Sequence, residues 1–403
     1  MSRDERKSLI YIRRFTQSSF ARDILVPFIA SRAMLTAVGL LALLAFQGIP
    51  PGPHDWEIKP NGYIGPIGEH MSAWSYPLLN IWLRWDAGWY ESVAKKGYQF
   101  IPGQQSNTAF FPLYPMTIRA VHFVFRGHLD RSWFLSGMLA ANLQLLVALW
   151  LLIRLVRLDE DEATAARSAL YYLAFATTLF FTAPFSESTF LLVAVAAFYY
   201  ARRANWMLAG IFGALTALAR SPGIVLCLPL AVEYLAQRNW QWRRIRADVL
   251  WLALIPAALG GLMFYFQARF GNLQVIRDSQ AAWGNGWGTF RGPIAPLIDM
   301  LHRPMMGRDW VDLAFAWLTI AMAIYAAFTL RLSYGVYAVV TAIFLTSWGS
   351  YESMPRYILV VFPIFIAFAK WGRNERFDRA FLIVNSGLAA LFMVEFALWR
   401  WVA

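Results

Sequence analysis

AFFPLYPMTIRAVHFVF, residues 109–125, decides the topology of this chain. The stretch is apolar enough to be taken for a membrane span. Counted as a span, it inverts every later loop and places Arg238, Arg243, Arg244 and Arg246 outside the membrane. Counted as an interfacial or re-entrant helix with Arg119 and His122 at its polar boundary, it keeps the short basic loops inside, as the positive-inside rule requires. The second reading is adopted here, and a true span is the alternative.

Outward from that stretch, the chain reads as apolar runs joined by short polar turns. Eleven spans are expected, near residues 25–48, 133–153, 168–184, 188–201, 205–219, 222–236, 249–268, 310–330, 334–348, 357–371 and 380–400. The composition agrees: 59% of the 403 residues are hydrophobic and only 15% are charged, against about a quarter in soluble domains. The fold class is therefore all-α and polytopic, one integral membrane domain over residues 1–403. A basic cytoplasmic head at 1–24 leads into a retained first span. Two long outer segments follow, at 49–132 with juxtamembrane helices and at 270–309. The net charge of +12 lies in clusters between apolar runs, which is loop patterning and not a nucleic-acid face. The single cysteine, Cys227, permits no intramolecular disulfide.

Several expected spans are shorter than the ~20 residues that cross hydrocarbon. The turns between them therefore sit within the outer half of the bilayer, where irregular backbone is tolerated only beside a cavity. Those turns carry unusual charges. Glu187 lies in FSES at 185–188, Arg220 in ARSPG at 219–223, and Arg356 in MPRY at 354–357, followed by Tyr357. Acids at such depth call for a partner or a purpose. Arginine suits bidentate phosphate contacts, the alternatives being salt bridges from Arg220 to Glu187 and from Arg356 to Glu352. In RWDAGWY at 84–90, Arg84, Trp85, Trp89 and Tyr90 surround Asp86. A carboxylate desolvated by aromatic rings gains basicity and suits a general base for an acceptor hydroxyl. The alternative is a helix cap within an interfacial aromatic belt. Phe111 and Tyr114 belong to a proline-stiffened apolar stretch that reads as a helix start or as a platform for an isoprenoid chain. Gln280 and Trp283, in QAAWG at 280–284, pair an amide with an indole, as sugar sites do, or simply pack a loop. Arg32 and Glu395, inside the first and last spans, read as snorkelling or locally paired charges. No nucleotide-binding glycine pattern, metal-ligand spacing or serine nucleophile elbow is present, so neither a cofactor nor a metal is expected.

Taken in order, RWDAGWYESVAKKGY at 84–98, AFFPLYP at 109–115, FSES, ARSPG, QAAWG and PRYILVVFPIF at 355–365 resemble the PIG-V family, the GPI mannosyltransferase 2 enzymes and their prokaryotic relatives in the GT-C class of membrane glycosyltransferases. The resemblance implies a multi-span helical fold, a catalytic first outer loop, and a dolichyl- or polyprenyl-phosphate mannose donor reacting with inversion. It carries the base role to Asp86 and marks Glu187 as the acid of the family's Ser-Glu-Ser turn. Eukaryotic members usually have histidine where Trp89 stands, so the chain looks more like the prokaryotic relatives. A prokaryotic plasma membrane with the site on its outer face is then expected. The expected partners are a polyprenyl-phosphate sugar donor, a glycolipid or glycan acceptor, and the lipid bilayer. Two rival classes remain: a transporter or flippase for lipid-linked sugars, and a subunit that binds such a sugar without transferring it. Against transport, no pair of Gly/Pro-broken spans recurs at matching positions in two halves.

Overall fold

The computed structural model describes residues 20–46, 75–125, 133–284, 288–302 and 304–402. The basic head, most of the first half of the long outer segment, and residues 126–132 lie outside these. Among the described residues the protein is helical, and its sole β feature is an isolated bridge between Phe290 and Trp348.

The helices are, in chain order, α1 (Ala21–Ala45), α2 (Ser75–Asn80), α3 (Ala87–Lys96), α4 (Leu113–Val124), α5 (Trp133–Val156), α6 (Glu162–Ala174), α7 (Glu187–Arg202), α8 (Trp206–Ala219), α9 (Ser221–Ala236, opening as a 3₁₀ turn) and α10 (Ala247–Phe270, likewise). They continue as α11 (Val275–Ala281), α12 (Ala295–Leu301), α13 (Gly307–Thr329), α14 (Leu332–Ser347), α15 (Met354–Val360), α16 (Phe362–Trp371) and α17 (Glu375–Ala397). Five of these, α1, α5, α10, α13 and α17, are long and apolar enough to cross a bilayer, and α15 with α16 makes a sixth if the bent pair counts as one span. The protein is thus an integral membrane protein, but helix length and composition do not yield the expected eleven spans.

The shortfall has local causes. The run expected at 168–184 is broken: Asp161 caps α6 seven residues early by accepting the Thr164 N–H at 2.7 Å, and the helix ends where Phe175 turns extended (ψ 148°). A short 3₁₀ turn, Thr178–Phe181, then carries the chain to Glu187. The run at 357–371 bends by 87° between α15 and α16. The bend frees backbone carbonyls, and tyrosines from neighbouring helices take them: Tyr172 donates to Leu359 O at 3.2 Å and Tyr337 to Val360 O at 2.7 Å. Helices α7, α8, α9 and α14 stop at or near sixteen residues or fewer because prolines and polar turns end them. α8 ends at Arg220, one residue before Ser221-Pro222. Gly223 makes the return possible, since a Cβ there would lie 2.0 Å from Thr216 O.

The disputed stretch 109–125 becomes α4, twelve residues long. That is roughly 18 Å of helix against a ~30 Å hydrocarbon core, too short to cross. It buries Tyr114, Pro115 and Ile118 and lies along α3 and α5. The tightest packing runs α5 on α7, α7 on α8, α8 on α10, and α13 on α14. α7 is buried along almost its whole length, so it forms the centre of the bundle, and its N-terminus delivers Glu187 to the bundle's interior.

Candidate active site

Asp86 stands at the N-terminal end of α3, and its position is set by the residues before it. The Arg84 guanidinium is buried. It donates to Ala397 O at 3.0 Å, to Leu83 O at 3.2 Å and to Asn80 Oδ1 at 3.1 Å, and lies 4.5 Å over the Trp399 ring. This residue, expected at the substrate, instead ties the first outer segment to the end of α17. Trp85 follows in the left-handed region (φ +52°), a conformation that costs a non-glycine residue roughly 1–2 kcal/mol. The reversal turns Asp86 toward α15. There its Oδ2 accepts from Arg356 Nη1 at 2.6 Å. The carboxylate is therefore ion-paired and not isolated among rings; of the two alternative salt bridges, Arg220 with Glu187 forms, whereas Glu352 lies 3.5 Å from Arg308 and Arg356 pairs elsewhere.

Glu187, the first residue of α7, has no exposed side-chain surface. Its Oε1 takes both cations, with Arg220 Nη1 in direct contact and Arg356 Nε at 3.5 Å. Its Oε2 has no hydrogen-bond partner, and neither has Arg356 Nε. Arg220 Nη1 also donates to Ser186 Oγ at 3.1 Å, and Ser186 Oγ shares a 2.6 Å hydrogen bond with the Tyr90 hydroxyl. Burial, foremost, pushes the Tyr90 phenol well above its ordinary value, so it stays a neutral partner. The Tyr357 ring lies 5.3 Å from both guanidinium carbons. Two carboxylates and two guanidiniums thus form one chain of contacts, Asp86–Arg356–Glu187–Arg220, brought together from four separate parts of the sequence. Glu187 and Arg356 are buried, whereas Asp86, at 16% side-chain exposure, and Arg220, at 12%, reach the surface.

One turn along α3 from Asp86, Trp89 stacks on Phe110 (centroids 5.8 Å, 13°) and meets Trp283 edge-on at 5.6 Å. Trp283 is carried by the turn after α11, which docks on the first outer segment through the 2.6 Å contact between Ser279 and Thr108 hydroxyls. The half-buried Gln280 lies on the same short helix. On its far side Trp89 lines an open cleft of about 400 Å³ walled by Tyr98, Phe100 and Phe270 and by the polar residues Gln99, Gln105, Ser106 and Asn107. Asn107 is fully engaged by Gln99 N, Ser92 and Gly97, whereas the Gln99 and Gln105 side chains are exposed.

Phe111 and Tyr114 are not part of a lipid platform. Both are buried, Phe111 among Val93, Tyr98 and Phe266, and Tyr114 with its hydroxyl on Gly137 O at 2.9 Å. Tyr114 faces inward because α3 and α5 cover that side of α4, whose other side exposes Met116, Phe123 and Val124. Arg32 is likewise buried, donating to Thr178 Oγ1 at 3.2 Å, and Glu395 pairs with Arg400 at 3.3 Å. Sequence reasoning missed Trp401, whose ring meets Trp85 edge-on at 4.8 Å and lies 6.0 Å from the Arg356 guanidinium carbon. Its signal was the WRWV run at 399–402, read only as the end of a span. Among the described residues no three His, Cys, Asp or Glu side chains converge as a metal site would require.

A family model described as Mannosyltransferase (PIG-V) matches residues 23–243, more than half of the chain. No curated protein matches the chain. Among solved structures, ArnT from Cupriavidus metallidurans, crystallised with undecaprenyl phosphate, shares the fold at a TM-score of 0.51 and 16% identity over 79% of this chain and 62% of that one. The Archaeoglobus fulgidus oligosaccharyltransferase aligns at a TM-score of 0.42 and 12% identity over 91% of this chain and 53% of that one. The chain therefore spans less than two thirds of the length of either.

Proposed function

Because the chain belongs to the mannosyltransferase (PIG-V) family, we propose that it moves a hexose, mannose by kinship, from a polyprenyl-phosphate-linked donor to the hydroxyl of a glycolipid or glycan acceptor, with inversion, on the outer face of a prokaryotic plasma membrane. The observation that carries this reading is the contact chain Asp86–Arg356–Glu187–Arg220, in which two carboxylates and two guanidiniums alternate and both ends, Asp86 and Arg220, are partly exposed. The undecaprenyl phosphate held by the similarly folded ArnT supports a lipid phosphate as the ligand.

In this mechanism Asp86 takes the proton of the acceptor hydroxyl, the freed oxygen attacks the anomeric carbon, and the bond from that carbon to the phosphate oxygen breaks. Polyprenyl phosphate leaves with the bonding pair, and Arg220 and Arg356 stabilise the charge growing on it. The charges of the free cluster sum to zero with its two acids ionised, so an incoming phosphate loosens Arg356 from Asp86 and frees the carboxylate for its proton. Trp89, Trp283 and Gln280 orient the sugar, and the cleft beyond Trp89, with its exposed amides and aromatic walls, takes the acceptor. Arg84, Phe111 and Tyr114 support the site from behind.

The test is transfer from radiolabelled short-chain polyprenyl-phosphate mannose by purified protein in detergent, with mixed membrane lipids as acceptor. Wild type should release or transfer label, and Asp86→Asn and Arg220→Ala should not. Label that crosses a liposome bilayer unreacted would favour the flippase class instead.

A further inference from the structure

Buried polar atoms without partners are rare, and each asks what completes it. Among the described residues, four such atoms belong to side chains at or beside the contact chain: Glu187 Oε2, Arg356 Nε, Trp85 Nε1 and Trp401 Nε1. Glu187 and Arg356 are more than nine-tenths buried. The two indoles meet edge-on at 4.8 Å, and Trp401 lies 6.0 Å from the Arg356 guanidinium carbon. Three are N–H donors and one is an acceptor. A neutral apolar ligand would leave all four unsatisfied. An oxyanion ester bearing a hydroxylated ring would accept from the three donors and offer a hydroxyl to Glu187.

The segment that brings Trp401 here is itself shaped for the purpose. Trp399 adopts φ +61°, which folds the chain back after α17, and Arg400 N then donates to Glu395 O at 2.9 Å. Trp399 stacks over Arg84 and edge-on to Trp85, and Val402 is buried. We infer that residues 399–402 form a wall of the sugar-phosphate site and that the Trp401 indole N–H, with that of Trp85, donates to the phosphate oxygens of the lipid-linked donor. The inference rests on the donor reading above and adds a segment that the family match at residues 23–243 does not reach.

Trp401→Phe keeps an aromatic ring against Trp85 and removes the N–H together with part of the indole. The experiment is titration of the full-length protein in detergent with undecaprenyl phosphate, reading affinity, together with a thermal melt of each form. Wild type should bind, and Trp401→Phe should bind roughly tenfold more weakly, the value of one hydrogen bond to a charged group, at an unchanged melting midpoint. Equal affinity in the two proteins would overturn the role of this segment and leave the donor reading standing. No binding by wild type would remove the donor reading and this inference together.

Discussion

Two buried glutamates, one near each end of the bundle, face two arginines apiece, and they are finished differently. At the end the charge pattern assigns to the cytoplasm, here called inner, Glu233 has no exposed side-chain surface and both of its oxygens are filled. Arg331 donates to Oε2 at 2.8 Å and to Oε1 at 2.9 Å, Ser333 to Oε2 at 2.7 Å, Gln237 to Oε1 at 2.7 Å, and Arg202 stands 3.6 Å away. At the outer end Glu187 is equally buried, but both arginines crowd one oxygen and the other is bare. A buried charge is tolerable when geometry and hydrogen bonds complete it. The inner cluster is completed by the protein and clamps α7, α9 and α14 together. The outer cluster keeps one open acceptor, Glu187 Oε2, which is what the proposed binding role asks of it.

The largest effect expected is on chemistry. Asp86→Asn should lower transfer by about 10²–10⁴-fold with little change in thermal stability, and near-wild-type turnover would break the assignment of the base. Next in size, Glu233→Gln strips Arg331 of its counter-charge, Arg202 keeping Asp159, and should destabilise by about 3 kcal/mol, read as a fall in melting midpoint. Glu187→Gln should cost clearly less stability and most of the activity, and equal melting losses for the two would erase the contrast drawn between them. Smaller again, Gln99→Ala and Gln105→Ala should raise the apparent KM for acceptor by a few-fold each while hydrolysis of donor by water is unchanged; an effect on hydrolysis would move the cleft to the donor side. Smallest is Asp161→Ala at the inner cap of α6, about 1 kcal/mol. The Thr164 N–H, first among its causes, holds the Asp161 carboxyl down to about 2. Its stabilising share is therefore whole above the ordinary carboxylate range, near 4, and is lost as pH falls through 2. An acid melt in which wild type and variant run parallel from pH 5 to pH 2 would show that the cap contributes nothing.

The charges of the outer cluster were legible because they stand out: Glu187, Arg220 and Arg356 are polar residues at turns inside apolar sequence. Of their pairings, Arg220 with Glu187 was offered as an alternative and forms; that of Arg356 with Asp86 was not foreseen. Asp86 and Arg356 are 270 positions apart, and no local periodicity encodes that contact. Glu233 went unnoticed because a lone acid in an apolar run looks like a loop boundary until Arg331 and Ser333 arrive from a hundred residues away. Arg84 and Asp86 sit two apart in one motif and could not be told apart by type, since only the fold shows that Arg84 spends its donors on backbone carbonyls. The eleven spans are not recovered as long helices where hydropathy averages over breaks: 168–184 and 357–371 are largely apolar, yet each contains a turn that tertiary hydrogen bonds sustain. The helical class, the amphipathic α4 and the positions of α7, α8, α9 and α14 within a few residues were all present in the apolar pattern.

The 87° elbow between α15 and α16 has a consequence for how this protein tolerates change. Its loose carbonyls are held by Tyr172 and Tyr337, and Thr177 takes Pro355 O at 2.6 Å, one residue before Arg356. The orientation of Arg356 is thus delegated to three hydroxyls from elsewhere in the fold, two on α6 and α14 and one, Thr177, in the turn after α6. In a saturation mutagenesis screen those positions would score like members of the site, and a library that spared only residues near the chemistry would lose function through them.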